Sequence, residues 1–177
     1  MLRLFVALRP PAPMRDSLIA TMHGVANARW QSDAQLHLTL AFLGAVDEAV
    51  AERIDAGLRA MRRSPLTLGI AGVGAFDDRD RVSALWAAAG PADGLQRLAY
   101  KVGQICRKAG AVPDGRAFVP HITLARLNRS SGPVDSWLAA HAALCCPAVP
   151  VAAVGLYESR LGSGGSSYDL LAEYRLD

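Results

Sequence analysis

The sequence predicts a mixed α/β (α+β) protein of two similar halves that face each other across a pseudo-twofold axis, around a common cleft. Three observations carry this. Apolar residues switch between period-two and helical spacing along the chain, so strands and helices are interleaved. The element order recurs: residues 1–76 and 80–177 each read strand, helix, strand, helix, strand, and the second half adds one more strand. A His-x-Thr recurs too, in "LHLTLAFL" from Leu36 and "PHITLARL" from Pro120, each in the second strand of its half. We therefore expect residues 1–177 to form one domain.

The elements follow in order. Leu2–Leu8 alternates and reads as a first strand. Residues 11–26 show helical spacing after Pro11 and Pro13, and this predicted helix contains His23. After Trp30 comes the strand Leu36–Leu43, closed by Gly44. Residues 47–61 read as a helix with Asp47 as its cap and acids in its first turn. "LTLGIAGVGAF" is a third strand and Arg81–Ala89 a fourth. The helix from Pro91 ends before Gly110. "AFVPHITLARL" is the next strand, and "GPVDSWLAAHAAL" is a short helix that includes His141. "VPVAAVGLYES" and "SSYDLLAEYRL" close the chain as strands joined by the turn "RLGSGG".

Composition narrows the class. The chain of 177 residues is 51% hydrophobic and 20% charged, so it buries a sizeable core and is not disordered. No run of eighteen apolar residues occurs, which argues against a membrane span. The apolar start "MLRLFVALRPP" is short and ended by prolines, which suits a strand better than a signal peptide, so a cytoplasmic location is expected. Cys106, Cys145 and Cys146 are odd in number and two are adjacent, so we expect free thiols. The net charge of +3 favours an anionic partner such as a nucleotide or an RNA end. A monomer is expected, since no long exposed apolar helix face is evident.

Strand alternation places the two motifs. Leu36, Leu38, Leu40 and Phe42 share one face, toward the core; His37, Thr39 and Ala41 share the other. In the second motif Ile122, Leu124 and Arg126 share the core face, and His121, Thr123 and Ala125 the opposite one. A single His-x-Thr reads as a polar position on a half-exposed strand. Two copies at equivalent places point to chemistry. Two imidazoles without a neighbouring carboxylate or cysteine make a poor metal site. An imidazole with a pKa of about 6.5 can serve as acid or base at neutral pH, and a pair can do both in one turnover. With two hydroxyls, and neither a nucleophilic Ser or Cys constellation nor a phosphate-binding loop, the set suggests in-line displacement at phosphorus.

The motifs "HLTL" and "HITL" resemble the paired HxTx signatures of the 2H phosphoesterase superfamily. The chain is similar nearly end to end to its bacterial RNA 2′,3′-cyclic phosphodiesterase branch, also called the 2′-5′ RNA ligase family. "RLFVAL", "LHLTLAFLG", "RVSALWAA", "FVPHITLAR" and "LYESRLGSGGSSYDLLAEYRL" carry this likeness. The resemblance implies a bilobal fold in which two antiparallel sheets line a central cleft and helices lie outside. It implies hydrolysis of an RNA terminal 2′,3′-cyclic phosphate to a 2′-phosphate, without metal or other cofactor. In that scheme His37 is the proton donor to the leaving 3′ oxygen and His121 the proton acceptor from water. Thr39 and Thr123 hold the non-bridging oxygens, Arg126 contacts phosphate, and Phe42 is a candidate for base stacking. Strand parity opposes the last two, since it puts both on the core face unless the strand bulges or ends there. Two other readings stay open: a 2H enzyme for another nucleotide diester, and a non-catalytic RNA-end binding module.

Overall fold

The computed structural model describes residues 1–62, 64–163 and 165–176. Strand β1 (Leu2–Leu8) leads to helix α1 (Ala12–Ile19), the two-residue strand β2 (Arg29–Trp30) and a 3-10 turn at Asp33–Gln35. Strand β3 (Leu38–Val46), helix α2 (Glu48–Arg59) and strand β4 (Thr67–Asp78) follow. The second part runs β5 (Arg81–Gly90), α3 (Ala92–Ala109), β6 (His121–Arg126), α4 (Asp135–His141), β7 (Cys145–Pro150), β8 (Ala153–Gly162) and β9 (Gly165–Arg175).

Two sheets result, with strand orders β3-β1-β8-β9 and β2-β6-β5-β4-β7. All their pairings are antiparallel. The sheets are not built half by half. β4 pairs with β5 and β8 pairs with β1, so the third long strand of each half completes the sheet of the other. This exchange ties the two lobes together and brings β3 and β6, the two motif strands, into contact.

The helices pack where the alternation directs them. Leu4, Val6 and Leu8 of β1 and Leu38 and Leu40 of β3 are buried. They share a core with Ile54 and Leu58 of α2 and Leu95, Val102 and Cys106 of α3. Asp47 caps α2 as expected, its Oδ1 accepting from Val50 N at 2.7 Å. Asp47→Ala leaves that amide without its partner, and we expect a loss of about 1 kcal/mol, read as a lower urea midpoint at unchanged slope. Gly110, at φ 99°, ends α3 in the left-handed conformation that glycine tolerates. Tyr174 of β9 donates to Asp55 of α2 at 2.6 Å, pinning the last strand under the helix.

Several boundaries differ from the sequence reading. Helix α1 stops at Ile19, so His23 lies beyond it. The Thr21 hydroxyl donates to Leu18 O at 2.7 Å, offering the backbone a non-helical partner, and Trp137 Nε1 donates to Thr21 O at 2.8 Å. Strand β3 continues through Gly44, at φ 66°, to Val46. Strand β7 escaped the sequence reading because Pro147 and Pro150 interrupt its pattern; it is an edge strand, where proline is tolerated. Gly164, in the predicted "RLGSGG" turn, lies outside the described residues; the flanking Gly162 and Gly165 pair as the ends of β8 and β9. Cys106, Cys145 and Cys146 are free thiols.

The largest correction is local. In β3, Ala7 pairs with Thr39 but Val6 pairs with Ala41, so Leu40 is an extra residue. In β6, Trp86 pairs with Thr123 but Leu85 pairs with Ala125, so Leu124 is extra. Each motif thus carries a bulge one residue after its threonine. A bulge resets the alternation. Ala41 and Ala125 turn into the core and are buried, against the expectation that they face the cleft. Phe42 and Arg126 turn out of it.

Candidate active site

The two histidines are held alike. His37 immediately precedes β3, and its Nδ1 donates to the carbonyl of Gln35 at 2.6 Å. His121 opens β6, and its Nδ1 donates to the carbonyl of Val119 at 2.6 Å. A carbonyl only accepts, so the proton sits on Nδ1 in both rings, leaving Nε2 for other chemistry. The carbonyl two residues back orients each ring without a carboxylate.

Aromatic walls flank both imidazoles. Phe5 and Tyr168 lie 4.9 and 5.0 Å from the His37 ring, centroid to centroid. Phe76 and Trp86 lie 4.8 and 6.0 Å from the His121 ring. Burial among these groups strips water from the rings and disfavours their charged forms. His37 is lowered to about 4, chiefly by this desolvation, opposed by the Gln35 carbonyl and reinforced by the charges of Arg126 and His121. His121 is lowered by the same cause, with Arg126 and Arg116 adding to it. Each ring thus prefers to be neutral in the free protein. The like-charge influence of His121 on His37, and of Arg126 on both, marks the three as one electrostatic cluster.

Each predicted residue has a definite place. Thr39 and Thr123 are half-buried on the faces of their histidines, and among the described residues neither hydroxyl has a hydrogen-bond partner in the protein. Arg126 reaches the cleft face because of the Leu124 bulge, on the side of Thr123 and His121. Phe42 pairs with Phe5 and so shares the face of the ring beside His37; it is half-buried, with the Arg3 guanidinium 5.1 Å above it. The recess between Phe5, Arg9, Leu36, His37, Tyr157 and Tyr168 measures only about 10 Å³, space for one water-sized group and not for a base. His23 and His141 sit together elsewhere, 6.2 Å apart. Among the described residues no group of three His, Cys, Asp or Glu could hold a metal ion.

The sequence reading missed the aromatic walls and Gln35. Phe5, Phe76, Trp86, Tyr157 and Tyr168 fall within predicted strands, and nothing in the alternation sets them apart. Strand register alone brings them to the histidines. Glycine was the available signal: a Cβ on Gly74 would overlap Trp86, and one on Gly155 would overlap Tyr157, so each ring lies over a bare stretch of strand. Gln35 holds His37 through its backbone, donates from Nε2 to Ser166 O at 2.6 Å and accepts from Ser32 N at 2.9 Å.

Two antiparallel sheets that each present a His-x-Thr at a shared seam define a 2H phosphoesterase. The chain belongs to the 2′-5′ RNA ligase superfamily, whose description matches residues 10–160. It is 36% identical over 117 residues to the RNA 2′,3′-cyclic phosphodiesterase of Aeropyrum pernix, a match that covers 66% of this chain and 65% of that protein. Its fold is similar to that of TT0787 of Thermus thermophilus, with a TM-score of 0.83, 26% identity, and 99% and 98% of the two chains covered. It is likewise similar to Escherichia coli LigT complexed with 3′-AMP, with a TM-score of 0.78, 27% identity, and 99% and 98% coverage.

Proposed function

We propose that the protein hydrolyses the 2′,3′-cyclic phosphate at an RNA end to a 2′-phosphate, using two histidines and no metal. One observation carries this reading: the two motif strands β3 and β6 meet, and each brings an imidazole whose Nδ1 is tied to a carbonyl two residues back. The names of the curated relatives and the 3′-AMP complex of LigT support the substrate class.

In the proposed step His121 Nε2 takes a proton from water as the oxygen attacks phosphorus. The bond from phosphorus to the 3′ oxygen breaks, and that oxygen receives its proton from His37. In-line displacement puts the attacking and leaving oxygens on opposite sides of phosphorus, so acid and base approach from different lobes. Thr39, Thr123 and Arg126 donate to the non-bridging oxygens, and Phe42 offers its ring to the base. A 5′-hydroxyl in place of water forms a 2′-5′ linkage by the same step; the reverse cleaves it, with the two roles exchanged. Burial lowers His37 in the free protein and so disfavours the protonated form that a donor needs. A bound phosphate anion opposes the depression of both rings, which is what the donor needs.

The test is incubation with a 2′,3′-cyclic mononucleotide in EDTA, with products identified by phosphorus NMR. Release of the 2′-phosphate supports the proposal. Turnover of only a different diester indicates another substrate, and binding without turnover indicates an RNA-end binding module. The pH profile gives a further check. Both imidazoles are lowered, so each loses its proton below the usual 6.5. The bell in kcat/KM, which reports the free protein, should therefore centre below about pH 6.5, and the bell in kcat should lie at higher pH. A kcat/KM optimum above neutrality would contradict the depressed rings.

A further inference from the structure

Beyond the two motifs lies a pair of arginines that the proposed reaction leaves half used. Strand β2 is only two residues long, and it pairs Arg29 directly with Arg126 and Trp30 with Ala125. Trp30 packs on Trp137 and Ala125 is buried, so that face of β2 is the core face. Arg29 is therefore on the opposite face, beside Arg126. Both are exposed, and among the described residues neither has a carboxylate at ion-pair distance. Like charges directly opposite on neighbouring strands repel. A fold tolerates that repulsion well where an anion comes to the pair.

The two guanidinium groups serve different places. Arg126 is among the charges that depress both imidazoles, and Arg29 is not. The Arg29 guanidinium instead lies 3.7 Å from where a Cβ on Gly165 would be, at the start of β9. The chain neighbours of these two residues, Trp30 and Ser166, help to line an open depression of about 480 Å³, together with Gln31, Ser32, Gln35 and Tyr168; Arg29 itself stands outside that lining. Its size suits one nucleotide unit and its lining offers hydroxyls and amides, not charge. The Gln35–Ser166 hydrogen bond holds its two walls together. Tyr168 lines this depression and also flanks His37, so the depression neighbours the proposed catalytic cluster.

We propose that Arg29 binds the internal phosphodiester just 5′ of the terminal nucleotide, and that the adjoining depression takes the next nucleotide of an RNA strand. The protein is thereby built for oligoribonucleotide ends over mononucleotides. Directly paired residues on neighbouring antiparallel strands are about 4.5–5.5 Å apart at Cα, and side chains that diverge from there span successive phosphates of one strand. This inference rests on the proposed function for its reading of the terminal phosphate.

The experiment is equilibrium binding, which does not depend on turnover. The wild-type protein and Arg29→Gln are titrated with a 2′-phosphorylated mononucleotide, the same mononucleotide carrying an added 5′-phosphate, and a dinucleotide ending in a 2′-phosphate. The wild type should bind the dinucleotide about tenfold or more tighter than the plain mononucleotide, as one charge-assisted contact allows. Arg29→Gln should collapse that ratio toward one and flatten the dinucleotide's salt dependence by about 0.7 in the log–log slope, the loss of one phosphate contact. Arg29→Lys should restore part of both. Equal wild-type affinity for mononucleotide and dinucleotide overturns the inference. So does an equal loss on all three ligands, which would put both arginines on one phosphate. A 5′-phosphorylated mononucleotide carries that same phosphate, so if it binds as tightly as the dinucleotide, the assignment of the depression to a next nucleotide is overturned. Intact dinucleotide preference without hydrolysis of a cyclic phosphate would overturn the proposed activity and leave Arg29's role standing.

Discussion

Replacing either His37 or His121 with alanine should lower kcat by about 10²–10⁴-fold while the fold persists, because in the proposed mechanism each imidazole carries one of the two proton transfers. Both rings stand at the cleft ends of their strands, held by a single backbone carbonyl, so their removal leaves the core intact. The double variant should be little worse than the weaker single one, since groups acting as a unit are not additive. Circular dichroism and the urea midpoint check the fold. A substrate with sulfur in place of the 3′ bridging oxygen separates the roles. A thiol has a pKa of about 8.5, so the leaving sulfur hardly needs a proton. That substrate should rescue the variant lacking the acid and leave the variant lacking the base inactive. Rescue of His121→Ala and not His37→Ala would reverse the assignment, and near-full activity of either on the natural substrate would end the two-histidine mechanism.

The second large effect belongs to Arg126. Its guanidinium is on the cleft face, where the proposed mechanism puts the phosphate, only because Leu124 is an extra residue in β6. A charge-assisted contact to a phosphate oxygen is worth about 1.5–3 kcal/mol, so Arg126→Ala should reduce kcat/KM by about 10–100-fold. The sign of the accompanying pH effect is fixed by charge. Arg126 disfavours the protonated form of both imidazoles, so its removal raises both. The kcat/KM bell should move up in pH, and NMR titration of the two ring signals should show the same displacement. A loss of activity with unmoved titrations would mean that Arg126 acts without neighbouring the two rings.

Much of this site was legible in the chain. The recurrence of His-x-Thr at equivalent places in two halves points to a paired chemistry, and the element order around each copy foretells how both are carried. The cap at Asp47 and the stop at Gly110 are local matters of hydrogen bonding and backbone freedom, and both were readable as such. Strand β7 was not, because its pairing with β4 supplies what its own proline-interrupted pattern lacks.

The sequence by itself determined the class of fold and the family, and it singled out the histidines proposed to react. Those depend on residue identity and on short-range periodicity, which a linear pattern records directly. Only the tertiary structure decided which side chains accompany the histidines. A bulge is a mismatch between two strands, and nothing within one strand announces it. The two bulges sent Ala41 and Ala125 inward and brought Phe42 and Arg126 out, reversing simple alternation at four positions. The aromatic walls and the Arg29–Arg126 pair have the same origin, in the register between strands that are distant along the chain.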